Sequence, residues 1–308
     1  MNVLVTGGAG FIGSHIVDGF LAQGHSVAVI DNLRSGRRDN VNPGARFYHL
    51  DIGDPAVDQV LARERPRIVS HHAAQISVRD SVKNPEDDIR DNIVGLVRLV
   101  TGCVRHGVET VVFPSTAALY GDPDSNPVPE TAPPRPMSPY GINKLSGEYY
   151  LRYLEATQGL KARILRYANV YGPRQDPHGE AGVVAIFTDA MLRGERPRIF
   201  GDGSQQRDFV YVGDVVRACL AAPGALSSEP VNIGTGALTS VNELYRLLAD
   251  AAEFSEAPLY EPPRPGDVRA VSLDPTRAQE RLNWTPQTNL GTGLQQTVGF
   301  FRARREAI

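Results

Sequence analysis

The sequence predicts an α/β protein in which a doubly wound parallel sheet is combined with a smaller, interleaved α/β domain. Three observations predict it: a glycine-rich strand–turn–helix–strand unit opens the chain, β-branched runs then alternate with helical patterns, and this rhythm changes after Asn169. Alternating strands and helices build parallel sheets whose ligands lie at the carboxyl ends of the strands. With 41% apolar and 22% charged residues over 308 positions, the chain can bury such a core.

The first 31 residues carry the clearest local pattern. A β-branched run over residues 2–6 leads into a glycine-rich turn, a helical apolar face begins at Ile12, and a second strand ends at Asp31. Glycines in such a turn let the backbone approach a phosphate, and the N–H groups at the helix start face the anion. An acid about 20 residues further on suits a ribose diol and repels a 2′-phosphate. The unit predicts a Rossmann-like dinucleotide-binding domain that prefers NAD to NADP, and its glycines are Gly7, Gly10 and Gly13.

Three arginines follow Asp31 closely, at positions 34, 37 and 38. Guanidinium groups at this place could accept a 2′-phosphate and so work against the preference for NAD. A solvated loop is the other role open to Arg34, Arg37 and Arg38, and we keep NAD as the predicted cofactor.

The alternation continues beyond this unit. Helical patterns separate the strand-like runs, and the clearest of them spans residues 89–104, where apolar side chains recur at helical spacing. The strand-like runs are residues 46–50, 67–71, 111–113 and 163–167. We therefore assign residues 1–167 to an NAD-binding domain.

Residues 168–308 are predicted to form the smaller, substrate-binding domain. The strand-like run 208–212 is expected to rejoin the first sheet, and helix 213–222 is expected to follow it there. Further helices are expected near residues 183–192 and 241–252. The two domains are thus predicted to be interleaved.

Charge and composition exclude several classes of partner. The net charge of −3 gives no reason to expect nucleic acid or a membrane surface as a partner. The chain enters a strand directly without a signal peptide, and no apolar run approaches the ~20 residues that span a bilayer. The two cysteines, Cys103 and Cys219, lie in apparent helices and form no disulfide framework. We expect a soluble cytoplasmic protein.

The residues that indicate chemistry are Tyr140 and Lys144. Their spacing of four places both on one face of a helix that begins near Ser138 and Pro139. A free phenol has a pKa near ~10, and a neighbouring ammonium together with an oxidised nicotinamide is expected to lower it toward the working range. Thr116, at the end of the fifth strand, could share the substrate proton through its hydroxyl group. The alternative is an exposed helix pair without a catalytic role, which a dinucleotide-binding fold makes less plausible.

A metal site is not expected. Adjacent strand residues point to opposite faces, so His71 and His72 do not form a pair of ligands, and no third ligand follows at a recognisable spacing. Neither cysteine has a partner histidine motif that would indicate a thiol nucleophile.

Several motifs, taken together, resemble those of extended short-chain dehydrogenases/reductases, most closely the UDP-glucose 4-epimerases. The resemblance runs nearly from end to end. The motifs are TGGAGFIG at 6–13, DNL at 31–33, HAAQ at 72–75, YGINK at 140–144, RYAN at 166–169, GDGSQQRDF at 201–209 and RPGD at 264–267.

The resemblance implies NAD as cofactor and assigns contacts to it. The backbone after the glycine turn would meet the pyrophosphate, the acid and amide after the second strand would meet the adenosine ribose, and Asp51 and Ile52 would meet the adenine. The implied cofactor-binding residues are Gly7, Gly10, Phe11, Ile12, Gly13, Asp31, Asn32, Asp51, Ile52, Ala73, Ala74, Gln75, Asn92, Ser115, Tyr140, Lys144 and Tyr167.

The resemblance also implies which residues bind the nucleotide sugar. Asn169, Arg207 and Arg264 would hold the diphosphate, since guanidinium groups offer it bidentate donors, although each arginine could instead form a surface ion pair. Val183 and Val184 stand where many relatives carry an Asn–Leu pair, which leaves open whether the nucleotide is UDP, dTDP or another one. The full implied set is Ser77, Thr116, Asn169, Val184, Arg198, Phe200, Arg207, Arg264, Asp267 and Val271, with Val271 facing the C2 substituent of the sugar.

The residues that follow Thr116 differ between members of the family that catalyse different reactions. Related 4,6-dehydratases carry an Asp–Glu pair there and related decarboxylases a Glu, whereas this chain has Ala117 and Ala118. Alanine cannot move a proton, so the resemblance implies reversible oxidation at C4, as in an NAD-dependent UDP-sugar 4-epimerase acting on UDP-glucose and UDP-galactose and on their N-acetylated counterparts. The alternatives are another nucleotide-sugar oxidoreductase or epimerase acting on UDP-glucuronate or a dTDP-sugar, and a non-catalytic NAD-sensing protein.

The resemblance further implies a homodimer. In such dimers the helix of residues 89–104 and the Tyr–Lys helix of each partner form a four-helix bundle. The apolar face of residues 89–104 fits this, and it equally fits a buried core helix.

Overall fold

The computed structural model of the protein describes residues 1–178, 182–225, 228–263, 266 and 268–306, and within them seven parallel strands form one sheet. The strands of the whole described chain are β1 (Asn2–Thr6), β2 (Ser26–Asp31), β3 (Arg46–His49), β4 (Ile68–His71), β5 (Thr110–Thr116), β6 (Lys161–Tyr167), β7 (Asn169–Tyr171), β8 (Arg198–Phe200), β9 (Gln206–Arg207), β10 (Phe209–Tyr211), β11 (Val231–Ile233), β12 (Thr239–Ser240), β13 (Leu259–Glu261) and β14 (Ala270–Val271). The sheet runs in the order β11-β6-β5-β4-β1-β2-β3. The predicted doubly wound parallel sheet is confirmed.

Eleven α-helices lie in the described chain, and some of them cover both faces of this sheet. They are α1 (Phe11–Ala22), α2 (Ala56–Glu64), α3 (Val78–Lys83), α4 (Pro85–Ile89), α5 (Gly95–Arg105), α6 (Pro139–Gln158), α7 (Val183–Leu192), α8 (Val212–Ala221), α9 (Val241–Ala252), α10 (Thr276–Leu282) and α11 (Leu290–Glu306). A π-helical turn, Arg90–Val94, separates α4 from α5, so the helical pattern of residues 89–104 is not one regular α-helix. In the described part of the chain, every helix falls short of the length or the apolarity that crossing a bilayer requires.

The buried strands pack on both faces because alternate side chains point to opposite sides. Val3 and Val5 pack with apolar side chains of α1 and α8, whereas Leu4 between them packs with those of α2 and α5. Each face of the sheet therefore has its own apolar core. A third apolar core lies among α7, α9 and α11 in the C-terminal half.

The chain returns to the first domain by a different strand from the one predicted. Strand β10 pairs with β7 in a separate two-stranded sheet, and β11 instead becomes the edge strand beside β6. Asp208 explains why: its buried carboxylate accepts N–H groups from Thr235, Gly236 and Leu273, which separates β9 from β10 and ties this segment to the turn after β11. The helix that follows, α8, does pack against α1 as expected.

The C-terminal half forms small sheets beside the carboxyl edge of the main sheet. Strand β9 pairs with β12 and with β14, and β8 pairs with β13. The helices predicted near residues 183–192, 213–222 and 241–252 are present as α7, α8 and α9.

Candidate active site

A cleft of about 1020 Å³ lies along the carboxyl edge of the sheet. The ends of parallel strands meet at this edge, so residues far apart in sequence share one wall: Gly7 follows β1, Asp31 ends β2, and Ser115 and Thr116 end β5. Every residue predicted to bind the cofactor lines this cleft except Asn92.

The glycine turn forms a tight cradle at the bottom of the cleft. Gly7 has a φ of +69°, and a Cβ on it would lie 2.5 Å from the backbone nitrogen of Ala73. A Cβ on Gly13 would collide with the carbonyl oxygen of Gly7. Helix α1 begins at Phe11 without any side-chain cap, so its first N–H groups remain available to an anion. The backbone here fits a diphosphate.

Asp31 is oriented by the backbone on both sides. Its two carboxylate oxygens accept from Ala9 N at 2.9 Å and from Leu33 N at 2.8 Å. Each oxygen keeps a second lone pair, so the carboxylate can still accept from two vicinal hydroxyl groups. Nearby, Asn32 donates to Asp51 at 2.7 Å and joins the two parts of the wall predicted to hold adenosine.

The three arginines near Asp31 each have a partner. The Arg34 guanidinium lies 2.5 Å from the Asp91 carboxylate, and Arg37 pairs with Asp39 at 3.5 Å. The Arg38 guanidinium stacks over the Phe47 ring at 4.5 Å. These contacts favour the interpretation of a structured surface loop over that of a 2′-phosphate site.

Helix α6 brings Tyr140 and Lys144 to the cleft. The Ser138 hydroxyl accepts from Gly141 N at 3.2 Å and caps the helix, with Pro139 in its first turn, as predicted. The ammonium of Lys144 donates to the carbonyl of Pro114 at 3.1 Å and lies 6.0 Å from the centre of the Tyr140 ring. Tyr140 shares a hydrogen bond with Thr116, so the three side chains form one group at the end of β5.

The electrostatics of this group differ from the expectation. Burial raises the pKa of Tyr140 to about 12, against a lowering effect of the Thr116 hydrogen bond. Burial lowers the pKa of Lys144 to about 8, against a raising effect of the Asp88 carboxylate. The Lys144 charge alone therefore does not lower the pKa of the Tyr140 phenol to the working range. The predicted lowering depends on a second positive charge, that of the oxidised nicotinamide.

A buried ion pair fixes α6 to the sheet. The Arg166 guanidinium on β6 donates to both oxygens of Glu148, through Nε at 2.9 Å and Nη2 at 2.7 Å. Ser115 donates to the same carboxylate, and Arg166 Nη1 donates to Tyr120 at 2.8 Å. Because Glu148 follows Lys144 by one helical turn and Ser115 precedes Thr116, this network sets the register between α6 and the end of β5.

The predicted substrate residues do not all meet in the large cleft. Ser77 and Thr116 line it, whereas Asn169 and Val184 line a smaller adjoining cavity of about 170 Å³. Arg198 and Phe200 lie on β8, and Arg207 on β9 is the register partner of Val271 on β14. These four line neither cavity. Arg264 and Asp267 lie outside the described residues.

Comparison with known proteins decides the family. Residues 3–234 match the NAD dependent epimerase/dehydratase family. The chain belongs to this family. It is 46% identical over 313 residues to the UDP-glucose 4-epimerase of Mycolicibacterium smegmatis, with 99% of this chain and 100% of that protein covered.

Two solved structures of UDP-glucose 4-epimerases share the fold. That of Thermotoga maritima, with UDP-glucose, is 50% identical and superposes with a TM-score of 0.97, covering 99% of this chain and 100% of its own. That of Thermus thermophilus, in complex with NAD, is 45% identical with a TM-score of 0.92, covering 98% and 99%. The glycine cradle, the uncapped start of α1 and the acceptor pair of Asp31 fit NAD, the cofactor of this family.

Asn92 and Tyr167 were both predicted to contact the cofactor, but in this epimerase/dehydratase family member the polar groups of their side chains bind other residues. Asn92 lies behind the cleft wall, because its amide is held by Asp88 and by the backbone of Gln75. Tyr167 lines the cleft, but its hydroxyl lies 2.9 Å from the sulfur of Cys219 on α8.

The paired histidines are held in place by hydroxyl groups. His71 Nδ1 lies 2.7 Å from the Thr6 hydroxyl, and His72 Nε2 lies 2.9 Å from that of Ser70. Burial lowers both pKa values to about 3, helped by the Lys144 charge, so both rings are neutral. In the parts of the chain that the structure describes, no group of three His, Cys, Asp or Glu side chains could hold a metal ion.

Sequence reasoning missed two acids and an amide that lie behind Tyr140 and Lys144: Asp88, Glu148 and Asn143. Glu148 was identifiable, because it continues the Tyr140–Lys144 spacing by another four residues on the same helix. Asp88 carries a weaker signal, as one of three consecutive acids in the first turn of a short helix.

Proposed function

We propose that this protein is a UDP-sugar 4-epimerase that interconverts UDP-glucose and UDP-galactose with NAD as a bound prosthetic group. The observation that carries the proposal is the group of Tyr140, Thr116 and Lys144 at the end of β5, beside the dinucleotide cradle. The two alanines after Thr116 leave no acid there for dehydration or decarboxylation.

In this proposal Tyr140 removes the proton of the C4 hydroxyl group of the sugar. The hydroxyl group of Thr116 forms a hydrogen bond to that C4 hydroxyl and keeps it in position. Lys144 supplies positive charge next to the phenol. Bound NAD, held by the glycine cradle and Asp31, would supply the hydride acceptor and donor for C4. The sugar must then turn about its diphosphate between the two transfers, so the residues that hold the diphosphate act as the pivot while Tyr140 returns the proton.

The proposed cofactor contacts follow the walls of the cleft. The α1 N-terminus holds the pyrophosphate, Asp31 and Asn32 the adenosine ribose, and Asp51 and Ile52 the adenine. The backbone and side chains at residues 73–75 line the middle, and Ser115 and Tyr167 the nicotinamide end.

The proposed substrate contacts come mainly from the C-terminal half. Asn169, Arg207 and Arg264 hold the diphosphate, and the strand Arg198–Phe200 lies along the nucleobase. Ser77, Val184, Asp267 and Val271 complete the set.

The proposal is tested by incubating the purified protein with UDP-glucose without added cofactor. We expect UDP-galactose to form while the absorbance of NADH stays flat, since the bound NAD is regenerated in each turnover. Formation of an oxidised sugar only when NAD is added would instead indicate a net dehydrogenase. An unchanged sugar with NAD still bound would indicate an NAD-sensing protein.

Replacing Asp31 with alanine is expected to weaken NAD binding and to relax the exclusion of NADP, because the acceptor of the ribose hydroxyls and the charge that repels a 2′-phosphate are both removed. The ratio of the dissociation constants for NAD and NADP, measured on the protein freed of cofactor, checks this. Glu86→Ala, which removes an exposed acid that does not line the cleft, is the control. A wild-type preference for NADP would contradict the assignment.

Replacing Val271 with tyrosine is expected to suppress the reaction of UDP-GlcNAc more than that of UDP-glucose. In this proposal Val271 faces the acetamido group at C2, and the larger phenol of tyrosine would overfill the site at a cost of about 1–3 kcal/mol. The check is kcat/KM for both sugars in wild type and variant, with thermal stability measured in parallel because Val271 is buried. Wild-type enzyme inert toward UDP-GlcNAc, or equal loss of both activities, would contradict the role.

We also propose a homodimer that buries the outer faces of α5 and α6. Large apolar side chains are exposed on α6 and on the helical turns that precede α5: Val82, Ile89, Val94, Ile142, Tyr149, Tyr150 and Tyr153. Sedimentation measurements of the assembly mass check this proposal. The cytoplasmic location stays a prediction.

A further inference from the structure

Asp88 is a fully buried carboxylate that binds Asn143, the residue before Lys144, and acts electrostatically on both Tyr140 and Lys144. Three side-chain amides donate to it. Gln75 Nε2 and Asn92 Nδ2 reach one oxygen, each at 2.9 Å, and Asn143 Nδ2 reaches the other at 2.6 Å. Amide N–H donors stabilise the ionised form of a carboxylate, whereas burial opposes it.

These amides belong to three different elements. Gln75 follows β4, Asn92 lies in the π-helical turn, and Asn143 precedes Lys144 on α6. Gln75 and Asn92 also bind each other, through Gln75 N to Asn92 Oδ1 at 3.1 Å and Asn92 Nδ2 to the Gln75 carbonyl at 2.9 Å. One carboxylate thus holds the strand end, the π-helical turn and the catalytic helix in a single arrangement.

The charge of Asp88 acts on both members of the pair. It raises the pKa of Lys144, opposing the effect of burial, and it raises the pKa of Tyr140 in the same direction as burial. The neutral rings of His71 and His72 face Lys144 from β4, and Asp91 acts on Asp88 from the π-helical turn. The charged residues of α3, Arg79, Asp80 and Lys83, are exposed, as are Glu86 and Asp87 on α4.

We propose that Asp88 is a positioning residue for the Tyr140–Lys144 pair: its carboxylate locks Gln75, Asn92 and Asn143 in place and supplies the negative charge that keeps Lys144 an ammonium. The role rests on the proposed function only in so far as that pair is catalytic. Without this anion, the buried lysine would lose its proton more readily and could no longer stabilise a phenolate.

The protonation of Lys144 can be measured directly because the chain has few lysines. Lys83, Lys144 and Lys161 are its only lysines. Lys83 and Lys161 are exposed and Lys144 is buried, so ¹⁵N- or ¹³C-lysine labelling of the NAD-loaded protein gives few signals, with two exposed references. Lys144→Met assigns the buried one.

The test variant is Asp88→Asn, which removes the charge at nearly constant shape. Its carbonyl oxygen can still accept from Gln75 and Asn92, and its NH₂ group can donate to Asn143 once that amide turns over. Glu86→Gln removes one exposed charge from the same helix as the matched control. If the Asn variant does not fold, Asp88→Ser, which leaves room for water at the three donors, gives the same readout.

We expect the Lys144 titration to move down by about one pH unit in Asp88→Asn, and to stay unchanged in Glu86→Gln. Asp88→Glu keeps the negative charge, so the pKa of Lys144 in that variant should return most of the way to its wild-type value. A Lys144 titration that is the same in Asp88→Asn, or Asp88→Ser, as in wild type would overturn the proposal. This measurement uses no sugar substrate, so it stands whether or not the protein epimerises UDP-glucose.

The pH profile of turnover gives the second readout. Loss of the Asp88 charge lowers the pKa of both Tyr140 and Lys144, so both limbs of the kcat profile should move to lower pH. A merely structural role would lower kcat with both limbs in place, and that result would also overturn the proposal.

Discussion

Tyr140→Phe is expected to reduce turnover of UDP-glucose by a factor of about 10² to 10⁴ while leaving the fold and bound NAD unchanged. The phenol oxygen is the only atom lost, and it is the group placed to take the C4 proton, next to Thr116. The ring stays to fill its position on the cleft wall. Initial rates of UDP-galactose formation, with bound NAD quantified by its absorbance after denaturation, measure both effects.

Tyr149→Phe serves as the control for this experiment. Tyr149 lies on the same helix but outside the cleft, on the face proposed to meet the partner, and phenylalanine keeps its ring there, so the same chemical change should leave turnover close to that of wild type. If Tyr140→Phe kept near wild-type turnover, the proton would be removed by another group and the catalytic assignment would be wrong.

Glu148→Gln is expected to lower the free energy of unfolding by about 3–5 kcal/mol, because it leaves the Arg166 guanidinium buried without an anion. The side chains of Arg166 and Glu148 are only 6% and 3% exposed, so water cannot replace the lost partner. Chemical denaturation of the wild type and the variant, both saturated with NAD, measures the difference.

The control for Glu148 is an exposed pair of the same geometry. Arg67 donates to Glu109 through Nε at 2.7 Å and Nη2 at 2.9 Å, yet both side chains are about half exposed. Glu109→Gln should therefore have a much smaller effect, since solvent screens exposed pairs. Equal losses in the two variants would show that burial does not determine the contribution of Glu148.

Local patterns explain what could be predicted from the sequence. The glycine turn, Asp31 and the spacing of Tyr140 and Lys144 each depend on neighbours within one element, so the sequence places them correctly in the cleft. The start of α6 was predictable for the same reason, since Ser138 and Pro139 are local cap signals.

The rest depends on partners distant in sequence. Residues 208–212 have the composition of a strand, but Asp208 finds its donors in Thr235, Gly236 and Leu273, and β11 takes the sheet edge instead. Asp88 likewise gains its position from Gln75 and Asn143, 13 residues before it and 55 after it. The raised pKa of Tyr140 reflects burial, which spacing along a helix does not reveal.

The return of α8 and β11 to the first sheet has a consequence for how the molecule comes apart. Residues 1–167 contain the glycine cradle and six of the seven sheet strands, but not the helix that covers α1 or the strand that closes the β6 edge. A fragment ending there would expose an apolar helix face and an unpaired strand edge to water. We therefore expect that the two halves do not fold as separate fragments. We expect them to unfold as one cooperative unit, so that a destabilising substitution in the C-terminal half also weakens the cleft.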